Sequence, residues 1–340
     1  MINLLVLCGG QSPEHEISIR STKNILEAID RSRYQITVIG IAKSGSWRLI
    51  EENELKEVIV DQGLPVSIHP GETPCFSSTG KSLSSFDVVF PILHGPNGED
   101  GTIQGLLRLL GIPFVGPGVL GSAVSMDKDV TKRLLRDAGL KVANWILVQR
   151  GSLIPSYHEV EKQLGSVVFV KPANMGSSVG VHHVTNEHEW THAIEDALKY
   201  DRKALVERSI SGRELECAVL GNETPKASGV GEVQSGEFYS YEEKYASTSH
   251  AEIVIPAQVD EKYLPELQRT AIRAYQALNC EGMSRVDMFL TEDGEILVNE
   301  VNTIPGFTSI SMYPKLWEAA GLSYSKLIDR LIDLAIQRAN

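Results

Sequence analysis

In the first third of the chain, short apolar runs alternate with amphipathic segments, and this alternation restricts the fold more than any other feature. Runs at 2–7, 36–41 and 88–93 are rich in Val, Ile, Leu and Phe, the pattern of strands buried on both faces. Ile25, Leu26 and Ile29, and later Ile103, Leu106, Leu107 and Leu110, recur at helical spacing. Gly111 ends the second set in C-cap position. Strand–helix alternation of this kind predicts a parallel, doubly wound sheet. Gly9-Gly10 closes the first strand, and Ser12-Pro13 offers an N-cap and a rigid first helical position. Ligands sit at such strand-end turns in open α/β sheets, although a Gly-Gly pair is also a plain turn.

A chain of 340 residues exceeds one small core and suits two or three domains. Hydrophobic residues make up 42% and charged ones 22%, as in soluble globular proteins. A net charge of −12 argues against a broad basic surface for nucleic acid. Phosphate binding would need locally gathered lysines and arginines. Cys8, Cys75, Cys217 and Cys280 are scattered, without C-x-x-C or metal-ligand spacing, and read as buried structural thiols. The opening MINLLVLCGG lacks a basic leader and reads as a strand, not a signal peptide. No stretch approaches the roughly 18 apolar residues of a membrane span, so a cytoplasmic location is expected.

After Gly139 the pattern changes. Asp127 can cap a helix over 128–138. Strands at 167–170 and 181–184 flank a glycine-rich loop, 174–180. A helix near 187–199 and a strand at 204–207 follow, then strands at 214–220 and 230–233 and a polar stretch at 234–250. A helix over 261–278 precedes strands at 284–290 and 295–300 around Asp293-Gly294. The last helix is expected over 324–336.

The densest chemical signal is Arg285-Val286-Asp287, followed by Asn299-Glu300-Val301-Asn302 and Pro305-Gly306. Residues two apart on a strand share a face, so Arg285 goes with Asp287 and Glu300 with Asn302. If the strands pair, two carboxylates and an amide converge beside a guanidinium. That hard-oxygen set suits Mg²⁺ shared with substrate phosphates. The plain alternative is a surface ion pair between Arg285 and Asp287, and the apolar run Ile296-Leu297-Val298 argues against it. In the 174–180 loop, glycines let N–H groups approach phosphate oxygens, and Ser177 and Ser178 add donors. The loop lacks the G-K-[ST] of a P-loop, and a plain glycine-rich hairpin turn is the lesser alternative. Lys128 and Lys171 beside it are candidate phosphate partners. His94 opens HGPNGEDG after the third strand, where it can meet a ligand, though a capped turn explains the same residues.

Together, and over essentially the whole chain, these segments resemble the D-alanine–D-alanine ligase family of ATP-grasp enzymes. HGPNGEDGTIQG (94–105) is similar to the family's first signature, and Gly282 through Arg285, Asp287, Glu300 and Asn302 to Gly306 to its second. GGQSPEHEIS, SMDK, VKPANMGSSVG and TSIS match family segments in the same order. The resemblance implies an ATP-grasp fold, part α/β and part α+β, in three domains. These are an N-terminal doubly wound domain (1–125), a central one (126–212) and a C-terminal one (213–340) with the metal site and a mobile loop at 234–250. ATP would lie between the last two.

The resemblance further implies that one D-alanine carboxylate attacks the γ-phosphate of ATP, and that a second D-alanine's amine displaces phosphate from the acyl phosphate. Glu14 would bind the first ammonium, with His94 near its carboxylate. Arg285 and the Gly306 N–H would hold the oxyanion, and Ser311 the second carboxylate. Asp287, Glu300 and Asn302 would carry two Mg²⁺ ions, Mn²⁺ being able to substitute. Lys128, Lys171, Lys244 and Ser178 would meet the nucleotide phosphates. Glu207, followed by Ser209 and Ile210, would meet adenine, and Glu214 the ribose. Tyr245, beside Lys244, would close toward Ser177 and Glu14, the arrangement of dipeptide formers and not of D-lactate-using depsipeptide ligases. Arg208-Ser209-Ile210 stand where relatives often carry an aromatic, which puts stacking on the base in question. Peptidoglycan precursor synthesis, a homodimer, and no membrane or nucleic-acid partner belong to the same expectation. The stretch at 51–81 is an extension without an assigned role.

Overall fold

A computed structural model describes residues 1–56, 59, 63–234 and 252–339. Three sheets organise them. The first runs in the order β6-β5-β4-β3-β2-β1-β7: β1 (Ile2–Gly9), β2 (Tyr34–Ile41), β3 (Trp47–Ile50), β4 (Leu64–Ile68), β5 (Phe76–Ser78), β6 (Lys81–Ser82) and β7 (Val88–Ile92). β1 pairs in parallel with β2 and with β7. The 51–81 extension supplies most of an antiparallel continuation of this sheet, β3 to β6. Alternation along β1 sends Leu4, Val6 and Cys8 to one side, where they cluster with Ile19 and Ile25 of helix α1 (His15–Ala28). Leu5 and Leu7 point the other way, toward Ile103 and Leu107 of α2 (Thr102–Leu109). Helices on both faces make this the expected doubly wound unit.

One local expectation is corrected. The first helix begins at His15 with Glu14 as its cap residue, not at Pro13. The Ser12 hydroxyl instead accepts the Glu14 N–H at 3.1 Å, tightening a turn that presents Glu14.

α3 (Val119–Met126) and α4 (Lys128–Asp137) lead to the second sheet. It comprises β8 (Trp145–Gln149), β9 (Val168–Pro172), β10 (His182–Val184) and β11 (Lys203–Arg208), antiparallel in the order β10-β9-β11-β8. α5 (Tyr157–Leu164), with a capping box from Ser156 and Glu159, and α6 (Glu187–Tyr200) cover it.

The third sheet is antiparallel, in the order β14-β13-β12-β15-β16: β12 (Arg213–Gly221), β13 (Lys226–Gln234), β14 (Glu252–Val254), β15 (Gly282–Leu290) and β16 (Ile296–Asn302). Leu215, Cys217 and Val219 of β12 pack under α7 (Leu264–Ala277) together with Leu135 of α4. Ala218 and Leu220 face α8 (Met312–Ala319) and α9 (Tyr324–Ala339). Leu327, Leu331 and Ile332 of α9 share that cluster with Leu4 and Val6, so the chain's end ties the third sheet to the first.

All four cysteines are buried and unbridged. Among the described residues no helix is long and apolar enough to cross a membrane. Lys244 and Tyr245 lie outside the described residues.

Candidate active site

β15 and β16 pair in the register that the alternation argument requires, with Arg285 opposite Asn302 and Asp287 opposite Glu300. A bulge follows, because Met288 pairs with Val298 and leaves Asn299 as the extra residue. Such bulges re-aim side chains beside functional sites. The Arg285 Nε and Nη2 atoms donate to the two Asp287 oxygens, each at 2.7 Å. Glu216, across from Asp287 on β12, brings an oxygen to 2.8 Å from Arg285 Nε. Asn302 donates from Nδ2 to Asp287 Oδ2 at 2.9 Å. The Arg285–Asp287 pair is therefore real but mostly buried, not the surface bridge of the plain reading. Burial works against the guanidinium's charge, yet Asp287 and Glu216 outweigh it and hold its pKa well above the usual value.

Between the second and third sheets lies a cleft of about 560 Å³. Lys171 on β9 and Glu207 on β11 line it, 2.9 Å apart at Nζ and Oε2. Lys132 of α4 approaches the same oxygen at 3.1 Å. Burial opposes the Glu207 charge, but the two ammonium groups prevail and keep its carboxyl below the usual range. Ser178, Ser209, Ile210, Glu214 and Glu300 also line the cleft. Lys128, at the start of α4, donates to the Met175 carbonyl at 2.6 Å and stands 4.0 Å from Glu300 Oε2. It thus bridges the glycine-rich loop and the carboxylate hairpin.

The first sheet meets this cleft at the ends of its strands. The Ser177 hydroxyl donates to Glu14 Oε1. A side chain on Gly95, at φ +72°, would meet Glu14 Oε2 at 2.6 Å, so only glycine fits there. Burial pushes the His94 imidazole below its ordinary pKa. Its Nδ1 bonds the Ile304 carbonyl at 2.9 Å. A carbonyl only accepts, so Nδ1 carries the proton, and Nε2 accepts from the Ser21 hydroxyl at 3.2 Å. Ser21 in turn accepts the Phe307 N–H at 3.2 Å. Ser311 sits at the N-cap of α8 and accepts the Thr308 N–H at 2.9 Å. A Cβ at Gly306 would come within 2.8 Å of the Ser311 hydroxyl, which explains the glycine.

Of the sequence-designated residues, Lys128, Lys171, Ser177, Ser178, Glu207, Ser209, Ile210, Glu214 and Glu300 line this cleft. Glu14 reaches it through Ser177, and Arg285, Asp287 and Asn302 cluster on the hairpin that carries Glu300, whereas His94, Gly306 and Ser311 are not in its lining. Lys171, a candidate phosphate partner, pairs here with Glu207. Sequence reasoning missed five contributors. Glu99 accepts the Gly95 and Ile304 N–H groups at 2.7 and 3.1 Å. Burial, then repulsion from Glu14, pushes its carboxyl up to about 8. Glu216 and Lys132 complete the ion pairs described above. Phe169 and Phe289 line the cleft from opposite sheets. Phe169 pairs directly with Glu207, so the aromatic absent after Glu207 has a counterpart on the neighbouring strand. Its alternation with Lys171 was the available signal.

Residues 3–117 match the family description "D-ala D-ala ligase N-terminus", and residues 134–333 "D-ala D-ala ligase C-terminus". A D-alanine–D-alanine ligase of Oceanobacillus iheyensis is 50% identical, covering 98% of this chain and 94% of the relative. D-alanine–D-alanine ligase A of Escherichia coli K12 is 47% identical over 98% and 95%. The D-alanine–D-alanine ligase structure from Coxiella burnetii superposes with a TM-score of 0.88 at 42% identity, covering 100% of this chain and 96% of that one. VanG D-Ala:D-Ser ligase from Enterococcus faecalis also gives 0.88, at 38% identity over 98% and 99%. With both halves matched and half the residues identical along its length, the chain belongs to the D-alanine–D-alanine ligase family.

Proposed function

We propose that this chain joins two D-alanines in an ATP-consuming reaction, giving D-alanyl-D-alanine for the peptidoglycan precursor. The observation that carries this reading is Lys128, whose Nζ reaches from the Met175 carbonyl in the glycine-rich loop toward Glu300 on the hairpin. One cation thereby links a phosphate-cradling loop to a carboxylate pair, the arrangement that phosphoryl transfer onto a carboxylate needs.

Glu14 takes the first D-alanine's ammonium, and neutral His94 lies near its carboxylate. That carboxylate attacks the γ-phosphate, and the second D-alanine's amine then displaces phosphate from the acyl phosphate. Arg285 and the Gly306 N–H face the oxyanion, and Ser311 the second carboxylate. Lys128, Lys171, Lys244 and Ser178 serve the phosphates. Glu207 accepts from the adenine amine beside Ser209 and Ile210, Phe169 and Phe289 offer ring faces to the base, and Glu214 receives the ribose. Tyr245 closes toward Ser177 and shields the acyl phosphate from water.

Asp287, Glu300 and Asn302 fit Mg²⁺ by donor chemistry: all can offer hard oxygens, and two carry charge. The amide nitrogen of Asn302 is engaged by Asp287, so oxygen is the donor it can present. Two bound ions, Mg²⁺ or Mn²⁺, would neutralise charge on the transferring phosphoryl group. The division at 1–125, 126–212 and 213–340, a homodimer and a cytoplasmic location complete the proposal.

Phosphate release from ATP, measured with D-alanine, D-serine, D-lactate and L-alanine singly and in pairs, tests it. D-alanine alone should suffice. Turnover only when D-lactate is added would favour the depsipeptide alternative, and no turnover with D-alanine would sink both.

A further inference from the structure

Lys132, inside α4, is 1% exposed and has no role in the chemistry above. Burying an ammonium is costly unless a charge answers it, and well-packed apolar side chains often replace buried ion pairs without loss. Stability alone therefore does not account for this lysine. Its Nζ lies 3.1 Å from Glu207 Oε2, the oxygen that Lys171 approaches at 2.9 Å. Two cations on one carboxylate are more than neutrality requires, and the surplus has a use if one cation must leave.

The two lysines differ in access. Lys171 lines the cleft and is 13% exposed, so it can turn toward a nucleotide phosphate. Lys132 is not among the residues lining the cleft and is almost fully buried beside Glu207. With Lys171 as its sole partner, Glu207 would lose its counter-ion at the moment of nucleotide binding. It would then take up a proton or hold Lys171 back.

We propose that Lys132 is a positioning residue, the standing counter-ion that keeps Glu207 ionised and fixed for the exocyclic amine of adenine while Lys171 moves to the nucleotide phosphates. The inference rests on the reading of Glu207 as the adenine contact. It also makes Lys132 a determinant of base choice. An ionised carboxylate accepts from a 6-amino group and repels a 6-oxo group, whereas a protonated one can donate to the latter. The depressed Glu207 carboxyl, held down by both lysines against burial, is consistent with this division of labour.

The test compares wild type with Lys132→Met, a side chain of similar length without charge. ATP, GTP and purine riboside triphosphate, which lacks the 6-amino group, are used in turn with D-alanine. Lys132→Met should raise the KM for ATP by about tenfold, the scale of a hydrogen bond to a charged group, with kcat little changed. The KM for purine riboside triphosphate should stay constant, and the GTP-to-ATP ratio of kcat/KM should rise. Lys132→Arg, which keeps the charge, should retain the preference for ATP. Should the Met variant fail to fold by circular dichroism, Lys132→Gln is read in the same way. An equal rise for both purine nucleotides would make Lys132 a packing residue, and no rise for either would show that Lys171 suffices; each result overturns the proposal. A wild type indifferent to the 6-amino group would remove the Glu207 reading, and this inference with it. Discrimination by wild type that persists in Lys132→Met would overturn the role of Lys132 alone.

Discussion

Arg285 holds Asp287 through two parallel hydrogen bonds and faces Glu216 on the adjoining strand. It therefore orients a proposed metal ligand and supplies positive charge to the same cavity. Arg285→Ala is predicted to lower kcat by roughly 10² or more, the scale for losing an oxyanion donor. Arg285→Lys should recover little, because a point charge cannot reproduce the planar fork on Asp287. Near-normal kcat in the lysine variant, from steady-state phosphate release, would leave Arg285 as an ion-pair partner only. Glu99 carries a second prediction. Its carboxyl moves from an ordinary 4.5 to about 8, through burial and then Glu14. The folded state thus holds a proton that the unfolded chain releases. The associated stability is fully present below about pH 4.5 and is lost as pH rises through about 8. Glu99→Gln, which cannot ionise, should lack that dependence. Urea midpoints of the two proteins should diverge between pH 5 and 8 in favour of the Gln variant, and parallel curves would refute the shift. This role was not legible in the sequence, because it depends on packing against Glu14 and on the Ile304 N–H, 205 positions away.

Among the elements, α4 carries three consequential residues on one short helix: Asp127 as its cap, Lys128 at its start and Lys132 within it. The Asp127 side chain accepts from the Asp129 and Val130 N–H groups at 3.1 and 3.2 Å and pairs with Lys203. Burial opposes its charge, but Lys203 and the cap donors hold its carboxyl below the usual range. Asp127→Ala should cost about 1 kcal/mol at pH 7, the usual worth of such a cap, whereas Asp127→Asn should keep most of it. A depressed carboxyl stabilises above its unfolded pKa and loses that contribution as pH falls through its folded value. The Ala deficit in urea denaturation should therefore shrink below pH 4, and a deficit unchanged there would put the effect on packing. This cap was readable because Asp precedes a clean helical period. The doubly wound start and the β15–β16 register were readable for the same reason, since alternation assigns faces without tertiary information. Short elements were less so. α3 spans eight residues of small and apolar types, and α8 carries Pro314 in its first turn, so neither shows a strong period. The strands β4 to β6 are short, β5 three residues and β6 two, and β4 is interrupted by Pro65, so none shows a sustained alternation.

At the scale of the whole molecule, the three sheets are joined in two different ways. Apolar packing of α9 fastens the third sheet to the first, and the Arg33 pairs with Asp329 and Asp333 and the Tyr34 hydroxyl on Asp329 reinforce it at the rim. The second sheet's glycine-rich loop instead reaches the first through a polar contact, the Ser177 hydroxyl on Glu14 Oε1. Polar contacts of this kind can be made and broken by ligands, so the loop can report on the first sheet's occupancy. In the proposed reaction a D-alanine ammonium fixes Glu14, Glu14 fixes Ser177, and Ser177 belongs to the loop that receives ATP. Binding of the two substrates should then be mutually favourable, by equal factors in either order. A hydrogen bond to a charged group contributes about 1.5–3 kcal/mol, so D-alanine should tighten binding of a non-hydrolysable ATP analogue by about tenfold or more. Ser177→Ala should lose most of that enhancement while keeping the analogue's affinity in the absence of D-alanine close to wild type. Ser177→Gly separates the hydroxyl from backbone conformation, because Ser177 sits at φ 51°, where glycine is unstrained. Both variants should lose the coupling, with the glycine variant the more stable of the two. Calorimetric titration of the analogue with and without D-alanine decides the matter. Full coupling in Ser177→Ala would mean that the two subsites communicate through other contacts and not through this one.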